Sequence, residues 1–321
     1  MTPIFNISLD GQTLPIQQRL VSLEISDHAG IESDTLRLIL TDPDGALELP
    51  RHGVELIAAI GFAETGLVDK GLFIVDEVEY SSPPNTLTIS ARATDFRGSF
   101  RKRREASYHE TTLGKILETL ASRNDLTLNI HADLSATFIA HIDQTESDLA
   151  FMHRITARYD ATAAIKQKHM VIMPKAEAKT LSGQALPTIT IQQQDCTSWR
   201  LSIADRDTHI TGVSAKWQSN EHGNTFTVTA GENTNSQMLP QVYPTQTEAI
   251  AAAQSELKRR KRAGMSLDIQ LAMGNPDIIA ESPVSLSGFK NTINGADWIT
   301  TEVQHTLNNQ GLQTRVRVET K

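Results

Sequence analysis

Hydrophobic side chains recur every second residue through roughly the first 96 positions, and this alternation limits the fold more than any other feature. Leu36, Leu38 and Leu40 interleave with Arg37, Ile39 and Thr41, and Leu87, Ile89, Ala91 and Ala93 interleave with Thr88, Ser90, Arg92 and Thr94. Successive side chains of a strand point to opposite faces, so a period of two describes a sheet with one buried face. Asp10-Gly11, Asp42-Pro43-Asp44-Gly45 and Ser82-Pro83-Pro84-Asn85 punctuate the run with turn chemistry. Short Thr-rich strands between such turns predict an antiparallel barrel or sandwich.

After about residue 110 the period changes. Leu113, Ile116, Leu117, Leu120 and Ala121 form one helical face, with Thr111 or Thr112 as N-cap. Thr145-Glu146-Ser147-Asp148 has the spacing of a capping box and predicts a second helix that buries Leu149, Met152, Ile155 and Tyr159. A β pair, Ala161 to Ile165 and His169 to Met173, turns at Lys166-Gln167-Lys168. Strands resume at Thr188 to Gln192, Ser198 to Ile203 and His209 to Trp217, and Asn220 to Asn224 turns into Thr225 to Thr229. A third helix starts at the box Thr245-Gln246-Thr247-Glu248, carries Ala249, Ile250, Ala253 and Leu257 as its stripe, and stops before Gly264. Ser266 to Met273, Pro283 to Ser287, Trp298 to Leu307 and Leu312 to Glu319 complete the strands. The reading is a mainly β chain with a small α+β unit: a first β-barrel at 1–100, an α+β domain at 101–178, and a second β-barrel at 179–321 with a helix-containing insertion at about 220–264. The two β halves suggest a coarse duplication, but no repeated sequence is legible in them.

The chain has 321 residues, enough for two or three domains. With 39% hydrophobic and 21% charged residues it has a folded composition. A formal charge of −8 argues against non-specific binding to DNA or anionic membranes by the whole surface. The single cysteine, Cys196, excludes an intrachain disulfide and a Cys-rich zinc site, fits synthesis in a reducing cytoplasm, and reads as a packing residue. No apolar run reaches the ~18 residues of a membrane span, and the N-terminus lacks signal-peptide character.

No catalytic motif stands out. The ten histidines are scattered without His-x-x-x-His or His-Glu-x-x-His spacing, and nucleophile-elbow, Walker and dinucleotide-binding motifs are absent. No metal or other cofactor is expected. Glu146 and Asp148 could form a glycosidase pair, which makes a cell-wall hydrolase one alternative. Acids in a first helical turn are favoured by the helix dipole anyway, and capping is the preferred reading. Two basic clusters stand out: Arg97 with Arg101, Lys102, Arg103 and Arg104, and Lys258, Arg259, Arg260, Lys261 and Arg262 at the end of the third helix. Phosphate contacts would make the protein a nucleic-acid-binding regulator, a second alternative. The clusters lack interleaved aromatics or a recognised binding motif, so solvated faces with ion pairs to acidic neighbours fit better.

The segment Ser107-Tyr108-His109-Glu110-Thr111-Thr112-Leu113-Gly114-Lys115-Ile116-Leu117 resembles the opening of the helical domain in the phage late control protein D family. Gln144-Thr145-Glu146-Ser147-Asp148-Leu149-Ala150-Phe151-Met152-His153-Arg154-Ile155 is similar to the Q-x-E-S-D-x-x-F-x-x-R segment that this family, itself related to the T-even phage hub protein, shares with the N-terminal region of type VI secretion spike proteins. Gly288-Phe289, Ile293 to Trp298 and Val303 to Leu307 match the expected tail. One position departs: Asp160 stands where the resemblance leads one to expect Gly. The resemblance implies the structural hub of a contractile tail baseplate. It implies a homotrimer whose six barrels form a pseudo-sixfold ring that adapts a sixfold tail tube to a threefold spike. Partners implied are a separate central spike protein, a tail tube protein or tube initiator, baseplate wedge proteins and a tape-measure protein, with no membrane insertion and no specific nucleic-acid binding. Arg101 to Arg104, Glu146, Asp148, Arg154 and Lys258 to Arg262 are the candidate partner-interface residues.

Overall fold

A computed structural model describes residues 1–30, 33–93, 99–166, 168–175, 184–203, 210–218, 224–262 and 264–321. Among the described residues the chain is mostly β, with few helices. Contacts group it into two compact units. One contains Met1–Asp95, Leu186–Leu201 and Leu267–Val318; the other contains Phe96–Ala185, Ser202–Ser266 and Glu319–Lys321.

The alternating N-terminal segments form β1 (Pro3–Leu9), β2 (Gln12–Thr13), β3 (Leu20–His28), β4 (Thr35–Thr41), β5 (Glu55–Phe62), β6 (Gly66–Ser81) and β7 (Thr86–Arg92). Their inward positions are those the period picks out: Leu36, Leu38 and Leu40 on β4 and Leu87, Ile89 and Ala91 on β7 are buried. Asp10 and Gly11, both at positive φ, turn β1 into β2, as a two-residue hairpin requires.

The α+β segment runs β8 (Ala106–Thr112), α1 (Leu113–Arg123), β9 (Thr127–Ile130), α2 (Ala132–Ser135), β10 (Phe138–Gln144), α3 (Asp148–Arg158), β11 (Ala161–Lys166) and β12 (His169–Pro174). Thr112 caps α1 by accepting from the Lys115 N–H. Asp160 takes φ 52, the left-handed turn conformation where a glycine was expected; Asp is among the few residues that tolerate it. β13 (Ile189–Gln192) and β14 (Cys196–Ile203) follow, then β15 (Gly212–Gln218), β16 (Thr225–Gly231), β17 (Ser236–Tyr243) and α4 (Gln246–Arg262). In the stripe of α4, Ala249, Ala252, Ala253 and Leu257 are buried while Ile250 is exposed, so Ala252 takes the place expected for Ile250. β18 (Met265–Leu271), β19 (Pro283–Ser287), α5 (Asn291–Asn294), β20 (Trp298–Asn308) and β21 (Gly311–Thr320) end the chain. Alternation was too weak to predict β8, β9, β10 and β17. Arg97, Gln167, His209 and Asn220 to Gly223 lie outside the described residues.

The two β halves share one sheet, because β20 pairs antiparallel with β3. Within that sheet the halves have the same strand order. The first runs β3-β4-β7-β6-β5-β1 and the second β14-β18-β21-β20-β19-β13. Ranked by position in the chain, both orders are second, third, sixth, fifth, fourth, first. One direction differs: β1 lies antiparallel to β5, whereas β13 lies parallel to β19.

In this unit the largely buried Lys70 ammonium of β6 lies 3.1 Å from the His305 Nε2 of β20 and donates to the Pro276 carbonyl. His305 Nδ1 lies 2.9 Å from the Thr314 hydroxyl. An ammonium this close requires a neutral imidazole. Burial, reinforced by the Lys70 charge, pushes the His305 pKa down to about 3. Between pH 6.5 and 3 the unfolded chain therefore binds a proton that the folded chain refuses, so stability falls as pH falls, by up to about 1.4 kcal/mol per pH unit. In His305→Gln this one-proton slope is expected to vanish from urea midpoints measured at pH 7, 5 and 4. Equal slopes in both proteins would refute the assignment.

Candidate functional site

The Gln144-to-Arg154 segment joins β10 to α3, and each of its characteristic side chains has an intrachain partner. Ser147 is the N-cap, its hydroxyl accepting from the Ala150 N–H at 3.2 Å. The helix therefore begins two residues later than a cap at Thr145 would place it. Asp148 becomes its first residue and is fully buried, while Glu146 precedes the helix. The buried side of α3 is Asp148, Phe151, Met152, Ile155 and Thr156; Leu149 and Tyr159 are only half-buried.

A buried carboxylate needs counter-charge and hydrogen bonds, and Asp148 has both. Gln144 Nε2 donates to Oδ1 at 2.7 Å and Asn124 Nδ2 donates to Oδ2 at 3.0 Å. Arg104 Nε lies 3.2 Å and Arg123 Nη1 3.6 Å from the carboxylate. Neither of these two nitrogens is aligned for a hydrogen bond, so both are charge contacts. Gln144 also accepts from the Tyr108 hydroxyl at 3.3 Å, and the Tyr108 ring stacks on Phe151. Glu146 pairs with Arg154 Nε at 2.7 Å. Burial works against the Glu146 charge, but Arg154 and the Thr145 N–H outweigh it and hold the carboxyl below its usual range. Arg154 lies over the Phe151 ring, 5.1 Å from its centroid. Arg103 Nε donates to the Thr145 carbonyl at 2.7 Å, and the Arg104 N–H donates to the Glu146 carbonyl.

The sequence-selected residues thus divide. Arg103, Arg104, Glu146, Asp148 and Arg154 come together around the start of α3. Arg101 and Lys102 are exposed. On α4, Glu256 binds both Arg259 and Arg260, at 2.6 and 2.8 Å, and these partners hold its carboxyl low. Lys258 is exposed, and the side chains of Lys261 and Arg262 lie outside the described residues. Asp148 has no access to solvent, so it cannot meet a glycan or activate water. Among the described residues no group of three or more His, Cys, Asp and Glu side chains could hold a metal ion, and no helix is long and apolar enough to cross a membrane. Cys196 is half-buried, and burial raises its thiol pKa, which disfavours the reactive thiolate.

Sequence reasoning missed a second buried ion pair. Glu248 on α4 bonds Arg158 on α3 at 2.6 Å and accepts from the Ala140 N–H at 3.0 Å. Arg158 also lies over the Tyr243 ring. A capping-box glutamate ordinarily turns back to its own helix start; here it reaches another element, and nothing local in the sequence marks that choice.

The side chains around the start of α3 thus form a polar cluster satisfied within the chain. Residues 76–311 match the model of the phage tail baseplate hub (GPD) family, and the chain belongs to that family. It is 35% identical, over a 364-residue alignment covering 100% of this chain and 94% of the relative, to a probable baseplate hub protein of Escherichia phage P2. The 43 kDa tail protein of prophage MuSo2 from Shewanella oneidensis shares the fold, with a TM-score of 0.70, 14% identity, and coverage of 99% of this chain and 98% of that one. An E. coli component of the type VI secretion system has a TM-score of 0.59 at 14% identity, covering 98% of this chain and 76% of that one. The protein is a baseplate hub of a contractile phage tail, a part of the virion.

Removing one partner of a buried charge cluster costs about 3–5 kcal/mol, whereas an exposed pair is worth about 1 kcal/mol or less. Asp148→Ala is therefore expected to lower the stability of the unit containing α3 by about 3 kcal/mol or more, and Arg154→Ala by about 1 kcal/mol. Urea unfolding followed by hydrogen exchange of α1 and α3 amides measures both. Equal losses would mean that Asp148 does not anchor the cluster.

Proposed function

We propose that this hub acts as a cyclic homotrimer that adapts the sixfold tail tube to a threefold central spike. The observation that carries the reading is the repeated strand order of the two β halves. A chain with two equivalent halves presents six in a threefold ring, so one ring can match a sixfold partner on one side and a threefold partner on the other. Each half corresponds to one β-barrel in this reading, and the interface is head-to-tail, closing after three copies. The central spike, the tail tube or tube initiator, the baseplate wedges and the tape-measure protein are the partners in this reading. The unit containing α1 and α3 stands available to wedge or spike, with the exposed cations Arg101, Lys102 and Lys258 as candidate contacts. The role is mechanical, without catalysis.

Three copies per tail are expected from quantitative mass spectrometry of purified particles that contain this chain; one or six would overturn the adapter. Light scattering on the pure chain at moderate salt should give a mass near three times 35.3 kDa if the ring closes without the spike.

A further inference from the structure

The repeated strand order aligns the two halves residue by residue, and the alignment holds at the level of hydrogen bonds. Glu55 and Leu56 of β5 face Ile74 and Phe73 of β6, just as Pro283 and Val284 of β19 face Ile299 and Trp298 of β20. Just before, the Gly53 N–H donates to the Val75 carbonyl and the Val75 N–H to the Val54 carbonyl. In the second half the Glu281 N–H donates to the Thr300 carbonyl and the Thr300 N–H to the Ser282 carbonyl. Gly53 and Glu281 both sit at positive φ. The register so defined superimposes Phe73-Ile-Val-Asp-Glu-Val-Glu-Tyr-Ser81 on Trp298-Ile-Thr-Thr-Glu-Val-Gln-His-Thr306. Ile, Glu and Val coincide, and the other positions largely keep their character. Likewise Ser22-Leu-Glu-Ile-Ser26 of β3 matches Ser198-Trp-Arg-Leu-Ser202 of β14.

In the second half, β20 outruns β19. Its overhang pairs with β3, Glu302 facing His28 through Asn308 facing Ser22. In the first half, β6 outruns β5 in the same way. Beyond Ile74, residues Glu77 to Ser81 pair with β7 on one side. Among the described residues no strand pairs them on the other. The equivalent of β3 is β14, which ends the strand order and among the described residues pairs only with β18. Among the described residues the overhang of β6 and the outer edge of β14 are therefore both vacant, related to each other as the pair that the chain already joins.

We infer that β14 of one copy pairs antiparallel with the β6 overhang of the next copy, in the register that β3 adopts on β20. The partner is a second copy of this chain, and the inference rests on the trimeric reading above. Carried over, the register sets Arg200 opposite Ser81, Leu201 opposite Tyr80 and Ile203 opposite Val78. It covers two exposed apolar side chains, Ile203 (63% exposed) and Tyr80 (42%). Within the chain, Gln304 Nε2 donates across this seam to Glu24 Oε1 at 2.7 Å. The equivalent residues between chains are Glu79 and Arg200, an opposite-charge pair. Each copy offers one edge and one overhang, so within-chain and between-chain seams alternate around the ring.

Directly opposed antiparallel residues have Cα atoms about 4.5–5.5 Å apart, within disulfide reach. In a Cys196→Ser background, Arg200→Cys with Ser81→Cys should oxidise to a covalent trimer, seen on a non-reducing gel. Arg200→Cys with Tyr80→Cys, one residue out of register, should not. Arg200→Glu should weaken trimer association at least about tenfold, because like charges then oppose across the seam, and adding Glu79→Arg should restore it to within about threefold. A trimer by light scattering that fails to cross-link, or that ignores the charge reversal, overturns the pairing and leaves the adapter reading intact. A chain that stays monomeric at millimolar concentration overturns it as well, while three copies counted in particles would still support the adapter.

Discussion

A strand longer than its neighbour leaves backbone donors and acceptors that must find another partner, and the β unit is organised around that requirement. On one side β20 serves two strands in succession, β19 at Trp298 and Ile299 and then β3 from Glu302 onward. This shared edge makes one sheet of two halves that are far apart in sequence. Side-chain chemistry is secondary here, since backbone pairing tolerates wide substitution. That explains how the fold persists in the prophage tail protein at 14% identity.

The unit containing α1 and α3 depends on a different interaction. Helices α1 and α3 are short, 11 residues each, and helices of that length are marginal without tertiary support. The support is apolar on one side of α3 and ionic at its start. The Asp148 carboxylate draws Gln144 from β10, Asn124 and Arg123 from the end of α1, and Arg104 from the strand approach into one cluster. A carboxylate at the first helical position also complements the positive end of α3. An apolar residue there would pack, but it would not specify which arginine and which amide must converge.

Most of the fold was legible because burial on one face imposes a period. β4, β7, β20 and α1 could be read from spacing alone. β8 and β10 could not, because His109 and His141 fill their exposed positions while Thr111 and Thr112 fill half-buried ones, and the alternation is diluted. The motif at Gln144 to Arg154 was legible as a pattern, yet its meaning was not. Read locally, Glu146 and Asp148 are two helix-start acids. In three dimensions one is a half-buried pair with Arg154 and the other is the centre of a buried network. The basic cluster at 101–104 shows the same limit. Its charge was plain in the sequence, but nothing local said that Arg103 bonds the Thr145 carbonyl and that Arg104 reaches the buried Asp148. The internal repeat was hidden for a related reason. Its two copies are separated by an inserted unit and match only in strand-length pieces, with a different spacing in each, so no single offset reveals them.

The spacing differs because what is preserved between the halves is pairing. Phe73 and Trp298 hold the same place against β5 and β19, and Glu77 and Glu302 begin the two overhangs, while the connections between strands vary freely in length. The inserted segment of β15, β16, β17 and α4 lies between the strands β14 and β18, whereas only six residues separate β3 from β4 in the first half. An insertion there leaves the ladder positions on both flanks untouched, since β14 still pairs with β18 as β3 pairs with β4. Selection on such a chain acts on which edges stay open and at what register. Gln304 with Glu24 inside the chain and Glu79 with Arg200 at the vacant edges are then two solutions to one constraint, a polar pair laid diagonally across a seam whose backbone does the joining.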